Sequence, residues 1–383
     1  AVRSVINRHP DLLSLLALTL GAAAPFLPHL LLRRAPYDDD IRNYFWPVMS
    51  RVAEALRAGR LPLWTPDLYA GFPLLADSES AVFFPLNWLM LLFKDVTGLL
   101  AVFIAGNLLM GFGVYFFARQ IGLGRFASTL AGIVFAASGF SIGHLGHVTI
   151  HNGVAFMPLV LWALDRALLR SGRGQIAWVM MAGLTYAAQW LAGHVQPPIF
   201  TMLLAGPYLL YRLWVAPLPG TPARNRRQRF ALLCALPIAT IAVGLALSAA
   251  QLWPMLELAS FSPRSAGVTY EYAISYSFPP HNLVTLIWPY FFINVSGDQW
   301  GLWNNWETVI YVGLLPLMLA ALGAWHGWRA RRGDALFFAG AAFFALWLAM
   351  TNYAPLNLHR LFIELPGMDT LRCRVTWTSD RER

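Results

Sequence analysis

Residues 126–164 read FASTLAGIVFAASGFSIGHLGHVTIHNGVAFMPLVLWAL and contain no Asp, Glu, Lys or Arg. A helix needs about 20 apolar residues to cross a bilayer, so this stretch predicts two spans joined by a tight turn near its histidines. Basic residues bracket it on both sides, Arg119 and Arg125 before and Arg170 and Arg173 after. The same alternation of uncharged runs and short basic loops continues along the chain. Leu12 to Leu32, Leu99 to Ala118, Phe230 to Leu256, Thr308 to Trp328 and Ala335 to Leu358 each predict one span, and Gly174 to Tyr211 predicts two. The expectation is an all-α integral membrane protein with about nine transmembrane helices in one transmembrane domain, 1–383.

Composition agrees. The chain is 57% hydrophobic and 12% charged, against roughly 25% charged residues in soluble domains. The net charge of +9 does not mark a nucleic-acid binder, because the arginines sit in short loops where they set orientation. Arg224, Arg226, Arg227 and Arg229 fall on the same side as Arg119, Arg125, Arg170 and Arg173, and so do Arg3, Arg8, Arg329, Arg331 and Arg332. By the positive-inside rule that side is cytoplasmic, with the N-terminus. It holds 15 Lys/Arg and 3 Asp/Glu, whereas the outer side holds 13 Lys/Arg and 16 Asp/Glu, so carboxylate chemistry belongs outside. Residues 1–24 have a basic start and an Ala22-Ala23-Ala24 segment like a signal-peptide cleavage site, but the apolar run continues to Leu32, which favours a retained first span. The chain starts at Ala1 and stops at Arg383 soon after an apolar run, which reads as a fragment. Cys234 and Cys373 lie far apart and imply neither a disulfide framework nor a cysteine metal site.

Two outer loops are long, 33–97 and 252–306. In the first, Pro47 to Ala58 reads as an amphipathic helix, with Val48, Val52, Ala55 and Leu56 on one face and Arg51, Glu54 and Arg57 away from it. Gly59 and Pro62 end it. Val82 to Phe93 is apolar but too short to span, which predicts an interfacial or re-entrant helix.

Four groups of residues can carry chemistry. Asp38-Asp39-Asp40 follows the first span; a carboxylate there can act as a general base or hold a divalent cation, or simply cap a turn. His144, His147 and His151 are spaced for one helical face, although the glycines among them argue against a continuous helix. They read as a phosphate or polar-substrate contact, a zinc site short of a Cys or acid, or structural histidines. His194 and Gln196 occupy the next outer turn, where a structural turn competes with a shared pocket. Gln251, Glu257 and Arg264 follow the seventh span and Glu307 precedes the eighth; ionisable groups at span ends are costly and often functional, and Arg264 is the best outer cation for a phosphate. No GxxxxGK[ST] segment and no GxGxxG after a strand is present, so a glycosyl donor would be lipid-linked and used outside.

The strings Asp40-Ile41-Arg42-Asn43-Tyr44-Phe45-Trp46-Pro47, Gly59-Arg60-Leu61-Pro62-Leu63-Trp64, Gly71-Phe72-Pro73 and Ser80-Ala81-Val82-Phe83-Phe84-Pro85-Leu86-Asn87 resemble the first outer loop of the YfhO-type bacterial membrane proteins. Gly193-His194-Val195-Gln196, Gln251-Leu252-Trp253-Pro254 with Glu257, and Glu307-Thr308-Val309-Ile310-Tyr311-Val312-Gly313 follow in the expected order, so the resemblance covers about 30–372. That family is similar to the GT-C class of glycosyltransferases. The resemblance implies a GT-C-like bundle in the bacterial plasma membrane that moves a sugar from a polyprenyl-phosphate carrier to a glycan, lipid or polymer acceptor on the outer face, with inversion. It implies an essential acid in the first outer loop, where Asp40 fits best and Asp39 second. No cofactor is required, and a divalent metal on Asp39 and Asp40 is optional. Tyr44 stands where the family has Gln, which bears on donor contacts. A transporter or flippase and a non-catalytic envelope-assembly scaffold are the alternatives; the first predicts acids inside the spans, whose middles here lack Asp and Glu.

Overall fold

The computed structural model describes residues 11–36, 39–93, 95–262, 270, 274–295, 297–302, 304–358 and 360. It divides into two compact units, Ala1–Leu258 and Ala259–Arg383. Among the described residues the regular structure is helical, and six helices are long and apolar enough to cross a membrane. The protein is therefore an α-helical, multi-pass membrane protein.

In the first unit, α1 (Leu12–Ala23) continues through a short 3-10 turn into α2 (Leu27–Leu32). Together they form the first membrane-crossing segment, Leu12–Leu32. The first loop holds a π-helical turn, Ile41–Phe45, leading into α3 (Trp46–Arg57). The expected amphipathic helix is α3: Val48, Met49, Val52 and Ala53 are buried, and the Arg57 side chain bonds back to the Met90 and Leu91 carbonyls. Gly59, at φ +68°, ends it with backbone bonds from Gly59 to Leu56 and from Arg60 to Ala55. Residues 82–93 do not span; they make a 3-10 turn at Pro85–Trp88 and one helical turn, α4 (Leu89–Leu92).

Next come α5 (Asp95–Gln120), α6 (Arg125–Ala136), α7 (Gly139–Gly143), α8 (Val148–Val154), α9 (Met157–Leu168), α10 (Arg173–Leu191), α11 (Gln196–Trp214) and α12 (Arg226–Ser260). The pair of spans expected within residues 126–164 is present as Arg125–Gly146 and Val148–Leu168. Asp95–Gln120 and Arg226–Ser260 also reach spanning length.

Without a hydrophobic drive between helices in lipid, close packing depends on small residues. A Cβ on Gly132 of α6 would sit 2.6 Å from the Gly111 carbonyl oxygen of α5 and 2.8 Å from Leu18 of α1. Gly183 of α10 and Gly244 of α12 likewise admit Val243 and Tyr186 at distances no Cβ would tolerate. At the arginine-bearing end, Asp11 accepts from Tyr115 Oη at 2.7 Å and from Arg125 Nε at 2.8 Å. The Tyr115 bond, then Arg125 and Arg119, hold its carboxyl below the usual range against some burial.

In the second unit, α13 (Asn305–Thr308), α14 (Leu314–Arg329) and α15 (Gly333–Met350) are described. Gly333–Tyr353 meets the spanning length. Thr285 Oγ1 ties the 3-10 turn Pro280–Leu286 to the Thr308 carbonyl at 3.0 Å.

Among the described residues six helices, not the expected nine, are long and apolar enough to span, for reasons of length and polarity. Gln175, Thr185 and Gln189 dilute α10. Three prolines and Arg212 dilute α11, and α14 is only 16 residues long.

Candidate functional site

The first loop is anchored by its own apolar residues. Ile41, Phe45, Met49 and Ala53 are buried together with Phe103 of α5 and with Leu145 and Val148 from the histidine turn. Because Ile41 and Phe45 point into this core, Asp40 stands at its rim, half-exposed, while Asp39 is exposed. The turn is π-helical rather than α-helical, a backbone form frequent at functional sites.

Asp40 meets a histidine. His147 Nε2 lies 3.2 Å from Asp40 Oδ2, and the imidazole is buried. His144 packs beside it, with ring centroids 5.7 Å apart, and stacks on Phe140 at 4.2 Å. The Phe140 carbonyl can only accept, so His144 Nδ1, 2.9 Å away, carries the hydrogen. Here the expectation of three histidines on one face is corrected. The backbone breaks between α7 and α8 through a 3-10 turn at His144–Gly146, and His147 takes φ −108°, ψ 69°. His151 therefore turns into the core, where its Nε2 bonds Asn107 Oδ1 at 2.8 Å, and Asn107 also receives Ser141 Oγ at 3.0 Å. Among the described residues no group of three His, Cys, Asp or Glu could hold a metal ion.

Tyr44 donates its hydroxyl to Asp77, a residue not singled out in the sequence. Asp77 also caps the 3-10 turn Ser78–Ser80, accepting from the Glu79 N–H at 3.3 Å. Burial raises the Asp77 carboxyl above its ordinary value against these bonds. It also raises the Tyr44 hydroxyl, with the Asp77 charge adding to the effect. Gln251 of α12, fully buried, donates from Nε2 to the Leu75 carbonyl at 2.7 Å and to the Asp77 carbonyl at 3.4 Å. The signal for Asp77 was its place in Asp77-Ser78-Glu79, the only acids between Asp67 and Asp95.

The next outer turn packs on the same segment. Gly193, at φ +99°, lies so close to the Ser78 carbonyl that any Cβ would collide with it, and Thr149 is 3.1 Å from that Cβ position. His194 follows, half-buried, and its Nδ1 accepts from the Gln196 N–H at 3.3 Å. The turns bearing Asp40, Tyr44, Asp77, His144, His147 and His194 thus meet at one end of the first unit.

Glu257 is exposed on α12, beyond Gln251. Glu307 belongs to the second unit, half-buried in α13. Arg264 and Asp38 lie outside the described residues.

No protein-family model, curated protein or solved structure matches the chain.

Proposed function

We propose that the chain is a membrane glycosyltransferase with a GT-C-like active site, transferring a sugar from a polyprenyl-phosphate carrier to an envelope glycan, lipid or polymer acceptor. The observation that carries this reading is the 3.2 Å contact between Asp40 and His147, a loop carboxylate beside a buried imidazole. The buried imidazole of His147, in contact with one carboxylate oxygen, limits where Asp40 can point.

Asp40 takes the proton of an acceptor hydroxyl as its oxygen bonds to the anomeric carbon. The bond from that carbon to the carrier phosphate breaks, and its electron pair leaves with the phosphate. Attack opposite the leaving group inverts the anomeric configuration. The leaving phosphate needs charge stabilisation more than protonation, which we assign to His144, His194 and Gln196. Tyr44 steadies the Asp40 turn through Asp77. We place this end on the outer face of a bacterial plasma membrane, a reading the positive-inside rule supports, with α3 and residues 82–93 along the path of the lipid tail. A divalent ion on Asp39 and Asp40 is not required.

A transporter or flippase would need ionisable groups along a path through the spans. Asp165 and Arg212, buried near the opposite end, are instead bound to each other and to Tyr208.

Membranes containing the chain are incubated with a radiolabelled polyprenyl-phosphate sugar. Release of label above membranes lacking the chain supports the transferase. No release with any of several carrier-linked sugars overturns it.

A further inference from the structure

At the arginine-bearing end of the first unit, two guanidinium groups each keep one buried nitrogen with no hydrogen-bond partner among the described residues. Arg166, on the last turn of α9, lies over two indole rings, 5.6 Å from Trp162 and 5.4 Å from Trp178. Its Nε is buried with no hydrogen-bond partner. Arg224 reaches back to the same helix end, where its Nη2 donates to the Leu168 carbonyl at 2.9 Å and to the Arg170 carbonyl at 3.2 Å. Its Nη1 is buried without a partner. Burial holds the Arg224 guanidinium below the usual arginine range, the mark of a cation short of compensating charge.

Among the described residues, no carboxylate forms an ion pair with Arg166 or Arg224. Asp165 is the sole acid between Asp95 and Glu257. It is committed to Tyr208 Oη at 2.7 Å and to Arg212 Nε at 3.8 Å. Asp11, at the same end, is committed to Tyr115 and Arg125. Arg170 and Arg173, both exposed, add positive charge around the pair.

The surroundings select the anion. Trp162, six residues before the end of α9, and Trp178, five residues into α10, stand toward the arginine-bearing end, near the level at which indoles sit in a bilayer interface. Ile176 and Met180, on α10 beside Trp178, are 62% and 48% exposed and offer apolar surface for an acyl chain. An anion with a phosphate to meet the guanidiniums and hydrocarbon to lie along α10 is an anionic phospholipid. We propose that Arg166 and Arg224 form a headgroup site for an anionic glycerophospholipid. The loop arginines assign this end to the cytoplasmic leaflet, where anionic lipids gather.

The test uses the whole chain, delipidated in mild detergent, with phosphatidylglycerol binding followed by native mass spectrometry against phosphatidylcholine. Wild type is expected to retain phosphatidylglycerol selectively. Arg166→Gln and Arg224→Gln should each weaken it about fivefold, as expected for one arginine near a headgroup, and Arg166→Lys should weaken it less. Arg331→Gln, an exposed arginine of the second unit, should leave it unchanged. Helix content by circular dichroism identifies any variant that fails to fold, and the folded substitution at the other arginine then decides. Equal binding of both lipids, or equal loss in Arg331→Gln, would overturn the site as diffuse attraction. Displacement of phosphatidylglycerol by millimolar inorganic phosphate would overturn the lipid assignment.

Discussion

His147 Nε2 and Asp40 Oδ2 lie 3.2 Å apart, one from the break between α7 and α8 and the other from the π-helical turn of the first loop. A buried imidazole in contact with a carboxylate limits where that carboxylate can point, and a misplacement of about 1 Å at a reacting group can cost roughly 10²-fold in rate. His147→Ala is therefore expected to lower sugar transfer about 10²-fold with little change in melting temperature. His147→Gln, which keeps a polar side chain beside Asp40, should restore part of it. Equal rates for His147→Ala and wild type would remove His147 from the site.

Gly193 permits the close approach of two outer turns. Its φ of +99° disfavours any side chain, and a Cβ there would strike the Ser78 carbonyl. Gly193→Ala should destabilise the protein by more than about 2 kcal/mol. Gly206, in α11 with nothing within 4 Å of its Cβ position, is the contrast. Gly206→Ala should be neutral or stabilise by up to about 1 kcal/mol. Thermal unfolding in detergent, read by circular dichroism, compares the two.

Asp77 makes stability depend on pH in a definite sense. Its folded pKa is raised by burial above the ordinary 3.8. The folded state thus holds a proton that the unfolded state releases, so this contribution is complete below 3.8 and fades as pH rises through the raised value. Asp77→Asn keeps the neutral form and an acceptor for Tyr44. The two proteins should melt alike near pH 4, and the variant should gain on wild type as pH rises to 8. A gap that widened on acidification would contradict a carboxyl whose pKa burial raises in the folded state.

These contacts show what a sequence can and cannot carry. Long uncharged runs such as 126–164 declare themselves, because the bilayer demands apolar length and internal hydrogen bonding. The amphipathic α3 is legible for a similar reason, since burial of Val48 and Val52 needs only local periodicity. The uncharged run 174–211 predicts two spans, but absence of charge overstates apolarity there: α10 carries polar residues such as Gln189, bonded to Gly153 and Thr201, whose polar groups are satisfied by neighbours rather than avoided. Asp40 stood out through its loop context. Asp77 did not, because its role depends on Tyr44, 33 residues earlier, and on Gln251 in α12. The histidine trio looked like one face only while the helix was taken as continuous; the break at His147 sends His151 inward.

The central claim is that Asp40 is the base. The most direct test compares sugar transfer from a labelled polyprenyl-phosphate sugar by wild type, Asp40→Asn and Asp39→Asn at matched protein levels. Asp40→Asn is expected to lose at least about 10²-fold in turnover, and exposed Asp39→Asn to keep most of it. Turnover retained in Asp40→Asn, or lost equally in both variants, would contradict the account.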